Sequence, residues 1–331
     1  MKDLQGKRVL LFSSVLFHYH DQIKSAIEDL GARVHLYDER NDPSSMQKIM
    51  IRKARFLVKR SILNYYSNVA ETEKSFDPDY VLFVSPEAVT LDSLKVLKAA
   101  FPRSVFILYM WDSVKNKRNE GILGQFDRMY SFDSEDCRRY GMTFRPLFYS
   151  PDFTRSEDRP DYEYDVSFIG TVHSDRARIL LQVKDFCDAQ GLKYYFYLYI
   201  PGKLLYVLRM LTDRFLRKWD KKYIHINTIG KDEVARISAK TRCIIDINHP
   251  AQTGLTMRTI EMLGLGRKIA TTNINIRSYD FYRPENQIVL DRKNLDISRE
   301  MILKDYMRVP DEIYERYSVQ YWAKEIFGLE K

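Results

Sequence analysis

The chain has 331 residues, with 53 Lys and Arg against 45 Asp and Glu for a formal charge of +8, and a hydrophobic content of 45%. That composition excludes wholesale disorder, and 13 Gly with 11 Pro exclude a collagenous or low-complexity chain. Three scattered cysteines, Cys137, Cys187 and Cys243, fit neither a zinc spacing nor a disulfide framework, and the length suggests about two domains.

In chain order, Arg8–Phe12 is a buried strand, followed by a loop from Ser13 to His20 and a helix from about Asp21 to Leu30. Gly31 stops that helix, and Ala32–Tyr37 is the next strand, which makes a βαβ unit and implies a parallel sheet. The strand Tyr80–Val84, a helix over Leu91–Ala100, and the strands Val105–Tyr109 and Met129–Phe132 continue the alternation. Tyr149–Tyr164, with Pro151, Pro160 and a run of acidic residues, reads as a linker. The pattern then repeats: strand Asp165–Ile169 ending at Gly170-Thr171, helix Asp175–Gln190, strands Tyr194–Tyr199 and His225–Asn227, and helix Lys231–Ala239. Strand Cys243–Ile247, helix Thr256–Leu265 closed by Gly266, strand Lys268–Thr271 and a last helix over Asp311–Phe327 complete it. The fold class is therefore α/β, with two doubly wound domains. No apolar run of about 20 residues predicts a membrane-spanning helix, and Met1–Arg8 does not read as a signal peptide, so the expected location is cytoplasmic.

Doubly wound sheets take ligands at the C-terminal ends of their strands, near helix N-termini. The richest such segment runs from Asp246-Ile247-Asn248-His249 through Gly254 to the helix opening at Thr256. Its first turn offers N–H groups and a positive dipole end to a diphosphate. Arg258 in that turn is misplaced for the helix itself but suits an anion. Glu261, one turn on, can accept both hydroxyls of a ribose. The same residues also fit an ordinary capped helix with a surface pair at i,i+3. Gly170-Thr171 opens a second βα loop, where the glycine would admit a ligand and Arg176 would clamp a phosphate, or where a plain turn carries a surface Arg. In the first half, His18 and His20 follow the first strand and Asp112 follows the strand ending at Tyr109. Each is a candidate general base, and each also reads as a helix cap. Asp77-Pro78-Asp79 precedes a strand and reads as a turn; no metal site is predicted.

The stretch Arg258–Thr271 resembles the R-x-x-E-x-x-x-x-G helix-and-strand signature of group-1-type glycosyltransferases, their spore-maturation-protein-like branch being the closer match. Asp165–Thr171 with Arg176, Asp246-Ile247-Asn248, Tyr279–Tyr282 and Ile288–Leu290 fit the same group. The resemblance spans Asp165–Asp291. It implies the GT-B architecture: two Rossmann-like domains facing a cleft, an acceptor-side domain over 1–155, a donor domain over 165–305, and a C-terminal helix over 311–331 crossing back to the first domain. It implies a nucleotide sugar as co-substrate with no other cofactor. Gly170, Thr171, Asn248, His249 and Gly254 would line that site, Glu261 would hold the ribose, and Arg176, Arg258 and the Thr256 backbone would hold phosphate. Many retaining relatives carry a second Glu eight positions before the ribose-binding one, where this chain has Thr253. That departure motivates an inverting reading, with a base from the first domain: His20 or Asp112 ahead of His18.

Between Asp42 and Glu71 no acidic residue occurs, and Lys48, Arg52, Arg55 and Lys59 form one helical stripe beside Met50, Ala54, Leu57, Ile62, Tyr65 and Val69. Leu204, Leu208, Leu211, Phe215 and Trp219 form another, accompanied by Arg209, Arg214, Arg217, Lys218, Lys221 and Lys222. The segments 46–66 and 203–222 suit an anionic membrane surface, as well as ordinary packing on a sheet. The expected activity is metal-independent sugar transfer from a nucleotide sugar to a glycan or lipid-linked acceptor in bacterial surface polysaccharide or lipopolysaccharide synthesis, at the inner face of the cytoplasmic membrane. The alternatives are a nucleotide-binding protein with a degenerate GT-B fold and no chemistry and, behind it, a basic nucleic-acid-binding protein. A nucleic-acid partner is not expected, because no DNA- or RNA-binding module pattern is present.

Overall fold

The described residues form two all-parallel sheets of six strands each, and the central strands Arg8–Ser13, Tyr80–Val84, Val105–Met110 and Thr241–Asp246 are near-continuous buried apolar runs. The computed structural model describes residues 3–15, 18–40, 51, 55–156, 161–250 and 252–329. In the first sheet, β1 (Arg8–Ser13), β2 (Arg33–Asp38), β3 (Tyr80–Val84), β4 (Val105–Met110), β5 (Arg128–Ser131) and β6 (Thr143–Phe144) lie in the order β2-β1-β3-β4-β5-β6. In the second, β7 (Tyr164–Thr171), β8 (Tyr194–Tyr199), β9 (Ile224–His225), β10 (Thr241–Asp246), β11 (Lys268–Thr271) and β12 (Gln287–Val289) lie in the order β12-β11-β10-β7-β8-β9. The strand order therefore reverses between β1 and β3 in one sheet, and between β7 and β10 in the other. Adjacent loops leave in opposite directions at such points, which opens a crevice for a ligand.

The chain divides into two units, one formed by residues 1–147 with 319–331 and one by residues 148–318. In the first, Leu10, Phe12, Val81, Phe83, Phe106 and Leu108 meet Ile62, Tyr66 and Val69 of the helix Arg55–Thr72, and Leu94 and Leu97 of the helix Leu91–Ala100. In the second, Val166, Phe168, Phe196, Leu198, Cys243 and Ile245 meet Ile179, Leu180 and Val183 of the helix Arg176–Gln190.

Two predicted helices are broken, each for a local reason. The expected helix over 311–327 is two helices, Asp311–Glu315 and Val319–Ile326. Between them the Tyr317 carbonyl accepts the Tyr149 N–H at 2.8 Å and Ser318 bridges to Tyr149, so that backbone serves strand-like pairing. Only the later helix belongs to the first unit, where Trp322 meets the Tyr109 ring edge-on at 4.9 Å and Arg128 donates to the Phe327 carbonyl at 2.9 Å. The expected stripe from Leu204 to Trp219 ends its helix at Thr212. There the Asp213 carboxylate accepts the N–H groups of Phe215 and Leu216, at 2.9 and 3.1 Å, and turns Leu216 and Trp219 into the core. Lys48, Met50, Arg52 and Ala54 of the other stripe lie outside the described residues. Within it, Ile62 and Val69 are buried and Lys59 pairs with Asp92 at 2.8 Å.

The helix Met257–Leu265 approaches the segment Pro151–Phe153 so closely that a Cβ at Gly264 would overlap the Phe153 carbonyl oxygen and come within 2.6 Å of the Tyr149 ring. Replacing Gly by Ala inside a helix favours folding by about 0.8–1.0 kcal/mol, whereas overpacking costs about 1–3 kcal/mol. Contact with backbone, which cannot rotate aside, puts this site in the upper range. Gly264→Ala is therefore expected to lower the thermal unfolding temperature. A rise would show that the helix and the 151–153 segment separate freely.

Candidate functional site

The second unit's site starts from a carboxylate that water hardly reaches. Asp246, the last residue of β10, is 1% exposed. It accepts hydroxyl hydrogen bonds from Thr256 at 3.1 Å, Thr259 at 3.2 Å and Thr271 at 3.1 Å. Arg258 stands 3.7 Å away. These partners come from the end of β11 and from the N-cap and first turn of the helix Met257–Leu265. Thr256 is the N-cap and also accepts the Thr259 N–H at 3.3 Å. A buried charge tied to helix and sheet in this way fixes where the helix N-terminus points.

Arginines gather around that carboxylate. Arg258 donates to the Ile169 carbonyl and lies over the Phe168 ring. Its guanidinium occupies the space that a side chain at Gly170 would fill, a Cβ there falling 3.2 Å from it. Gly170 and Thr171 are the last residues of β7, and the loop begins after them. Arg176, in the first turn of the following helix, donates to Ile247 O at 2.7 Å and Thr171 O at 2.8 Å, stapling β7 to β10 across the switch point. That uses two of the five N–H groups of a guanidinium. Burial, with Arg258 and Arg292 nearby, lowers Arg176 to about 10. Arg292, which the sequence reading did not select, pairs with Asp175 at 2.8 Å and donates to Asn248 O and Oδ1 at 2.6 and 2.7 Å. Its signal was a cation just past a strand end. With Arg178, which pairs with Asp175 at 3.3 Å, four guanidinium groups face two carboxylates here.

The loop before the helix is held on both sides. Asn248 is buried; its Oδ1 accepts from Thr272 at 2.7 Å and its Nδ2 donates to Gln252 O at 3.0 Å. Asn273 Nδ2 donates to Thr253 O and Gly254 O, both at 3.1 Å, and Asn275 Nδ2 to Thr253 O at 3.0 Å. Asn248 and Gly254 thus shape the loop. His249 is exposed, its ring 5.9 Å from that of His173. Burial first, then the charge of Arg176, lowers His173 to about 4. Glu261 is buried in the second turn of the helix.

The first unit places its candidates at the C-terminal ends of β1 and β4. His18 has left-handed backbone, φ 60°, before the helix Tyr19–Asp29 and stands exposed beside Asp21 at 3.3 Å. His20 is turned inward and buried, and its Nδ1 makes no hydrogen bond among the described residues. Asp112, 43% exposed, accepts from Ser113 N at 2.9 Å and Asn116 Nδ2 at 3.2 Å and lies 3.7 Å from Lys117. Lys117 also reaches Glu87 at 3.8 Å. Fully buried Glu39 accepts the Glu87 and Ala88 N–H groups at 3.0 and 2.8 Å; burial pushes its pKa up against those bonds. Glu87 and Glu39 were missed, although both follow strand ends. Asp77 and Asp79 lie just before β3 and pair with Arg8 at 3.4 and 3.3 Å. Among the described residues, no group of three or more His, Cys, Asp or Glu could hold a metal ion, and no helix is long and apolar enough to cross a membrane.

No family model and no curated protein matches the chain. Its likeness is to solved structures. A lipopolysaccharide outer core galactosyltransferase, WaaB, in its apo form is 12% identical over 97% of this chain and 99% of that one, with a TM-score of 0.52. A glycosyltransferase from Rickettsia africae is 12% identical over 98% and 99%, at 0.58. Anabaena HepE, solved with UDP-glucose, is 10% identical over 97% and 98%, at 0.56. At these identities the likeness is one of fold: two Rossmann-like α/β units of the GT-B class.

Two measurements check this geometry. Thr271→Val leaves a buried carboxylate short of one donor, which costs about 1–3 kcal/mol; urea unfolding should move by that amount, and no change would mean the carboxylate is satisfied without Thr271. The His173 ring should titrate near pH 4 by NMR. Because the unfolded imidazole takes its proton nearer pH 6.5, the stability this group contributes is complete above that pH. It is lost as pH falls toward 4.

Proposed function

We propose that the chain is a nucleotide-sugar-dependent glycosyltransferase whose second unit takes the nucleoside diphosphate at the ends of β7 and β10. The observation that carries this reading is the cationic switch point: Arg176, Arg258 and Arg292 around the start of the helix Met257–Leu265, with Glu261 buried one turn in. Helix N-terminus and guanidinium groups together match the charge and oxygens of a diphosphate. Gly170, Thr171 and His249 border the place where it would lie. The UDP-glucose in the HepE structure makes a uridine nucleotide the first probe. The R-x-x-E helix of group-1-type transferases, in the spore-maturation-like pattern, supports Glu261 on the ribose hydroxyls.

In the proposed reaction the departing diphosphate is stabilised by preorganised arginines and helix N–H groups, which need no metal ion. Thr253 at the position of the second Glu favours direct displacement with inversion. A base from the first unit then takes the acceptor proton. Asp112 leads, because it stands half-exposed at a strand end; His20 and His18 follow, and Glu87 joins them through Lys117. The acceptor is a glycan or lipid-linked sugar of a bacterial surface polysaccharide, reached at the inner face of the cytoplasmic membrane.

Calorimetric titration of UDP, GDP, dTDP and CMP should give binding by at least one. Glu261→Ala and Arg292→Ala should each weaken it about ten- to a hundredfold, the range expected for charged hydrogen bonds. Equal affinity in Glu261→Ala would sink the ribose assignment. Turnover of a nucleotide-sugar panel separates transfer from mere binding, and it should persist in EDTA. Loss of turnover in EDTA with recovery on manganese would overturn the metal-free step. Asp112→Asn, Glu87→Gln, His20→Ala and His18→Ala test the base: the true one contributes about 10²–10⁴-fold to kcat and leaves nucleotide affinity unchanged. If all four stay within about tenfold, below that range, the inverting reading fails.

A further inference from the structure

The helix Lys203–Thr212 is apolar on two sides, and only one has a partner. Leu205, Tyr206 and Met210 lean on the second unit's core. The opposite stripe, Leu204, Val207, Leu208 and Leu211, faces solvent, with exposures of 86%, 53%, 54% and 71%. The spacing i, i+3, i+4, i+7 makes these four side chains one continuous ridge, and ten residues make it about 15 Å long. No residue of this helix is buried. A surface this apolar on a short helix marks an interaction site more than an idle surface.

Its surroundings select the partner. Lys203, Arg214, Arg217, Lys218, Lys221 and Lys222 are all exposed in the same segment. Of its two acids, Asp213 is half-buried, capping Phe215 and Leu216, and Asp220 caps Lys222 and pairs with it at 3.7 Å. A leucine ridge bordered by cations on one side of a unit fits an interface that is apolar inside and negatively charged at its rim. We infer that the helix Lys203–Thr212 lies in the headgroup layer of an anionic lipid bilayer, with its four apolar side chains among the acyl chains and the 214–222 basic residues on lipid phosphates. The helix follows β8, so it leaves the same sheet edge as the candidate donor site, and Arg209 on it is among the charges that lower His173. The surface stands independently of the transfer reaction. If the transfer reading holds as well, the docked helix sets the donor site beside a lipid-borne acceptor.

The test uses the full chain with vesicles of phosphatidylcholine alone or mixed with phosphatidylglycerol. Co-sedimentation is expected with the mixed vesicles and not with phosphatidylcholine alone, falling as salt is raised. Each basic side chain at the surface is worth about fivefold in partitioning, so Lys218→Gln with Lys221→Gln should cost more than about tenfold. Leu204→Ser with Leu208→Ser and Leu211→Ser should cost at least as much at an unchanged unfolding temperature, since these side chains are exposed. Absence of binding to mixed vesicles overturns the proposal, as does undiminished binding by the triple variant. Sedimentation velocity supplies the remaining outcome: a wild-type dimer that the triple variant abolishes, without vesicle binding, would assign the ridge to a second copy of the chain. Nucleotide affinity is read in parallel and decides the transfer reading separately.

Discussion

A single buried carboxylate sets the geometry at the C-terminal edge of the second unit's sheet. Asp246 lies where β10 ends, and a charge so removed from water must be fully compensated. The compensation comes from Thr256, Thr259, Thr271 and Arg258, which belong to elements on two sides of the strand. Meeting that one demand fixes the helix start, the end of β11 and the Arg258 guanidinium at the same time. A Cβ at position 170 would press against that guanidinium at 3.2 Å. The preorganisation of the site is thus a by-product of solving a desolvation problem.

The arginines at the strand ends are structural groups first. Arg176 is first a staple between β7 and β10, and Arg292 is first a brace for the Asn248 loop. Two backbone carbonyls fix the Arg176 guanidinium, and Asp175 with Asn248 fixes that of Arg292, so both charges are held at the strand ends by the fold itself. A cation held in place by the fold loses little further freedom when an anion arrives.

Sheet content was readable in the sequence because parallel strands here are plain apolar runs such as Val9–Phe12 and Val81–Val84, bounded by turn residues. The strand orders, and hence the switch points, are tertiary facts that no local pattern carries. The segments 204–219 and 311–327 looked helical throughout, because periodicity does not register a side chain that caps a turn, as Asp213 does, or a backbone pledged to another segment, as at Tyr317. At the site, Arg258, Glu261 and Thr256 stood out through their places in one helix. Arg292 and Glu87 did not, since each depends on a neighbour distant in the chain. Gly170 was noticed for its lack of a side chain, but its neighbour is a protein guanidinium, which spacing alone could not reveal.

The helix Val319–Ile326 belongs to the unit that begins at the other end of the chain. During synthesis the whole of residues 148–318 emerges before it. At roughly 5–20 residues per second, the first unit waits on the order of ten to thirty seconds for its last piece. Until then the surface that Trp322, Ala323 and Ile326 cover, Tyr109 included, is open to other chains. The second unit has no such wait, because all its strands and helices are consecutive. Vectorial synthesis therefore finishes the later-made unit first, and damage to the carboxyl-terminal helix is felt by the amino-terminal sheet.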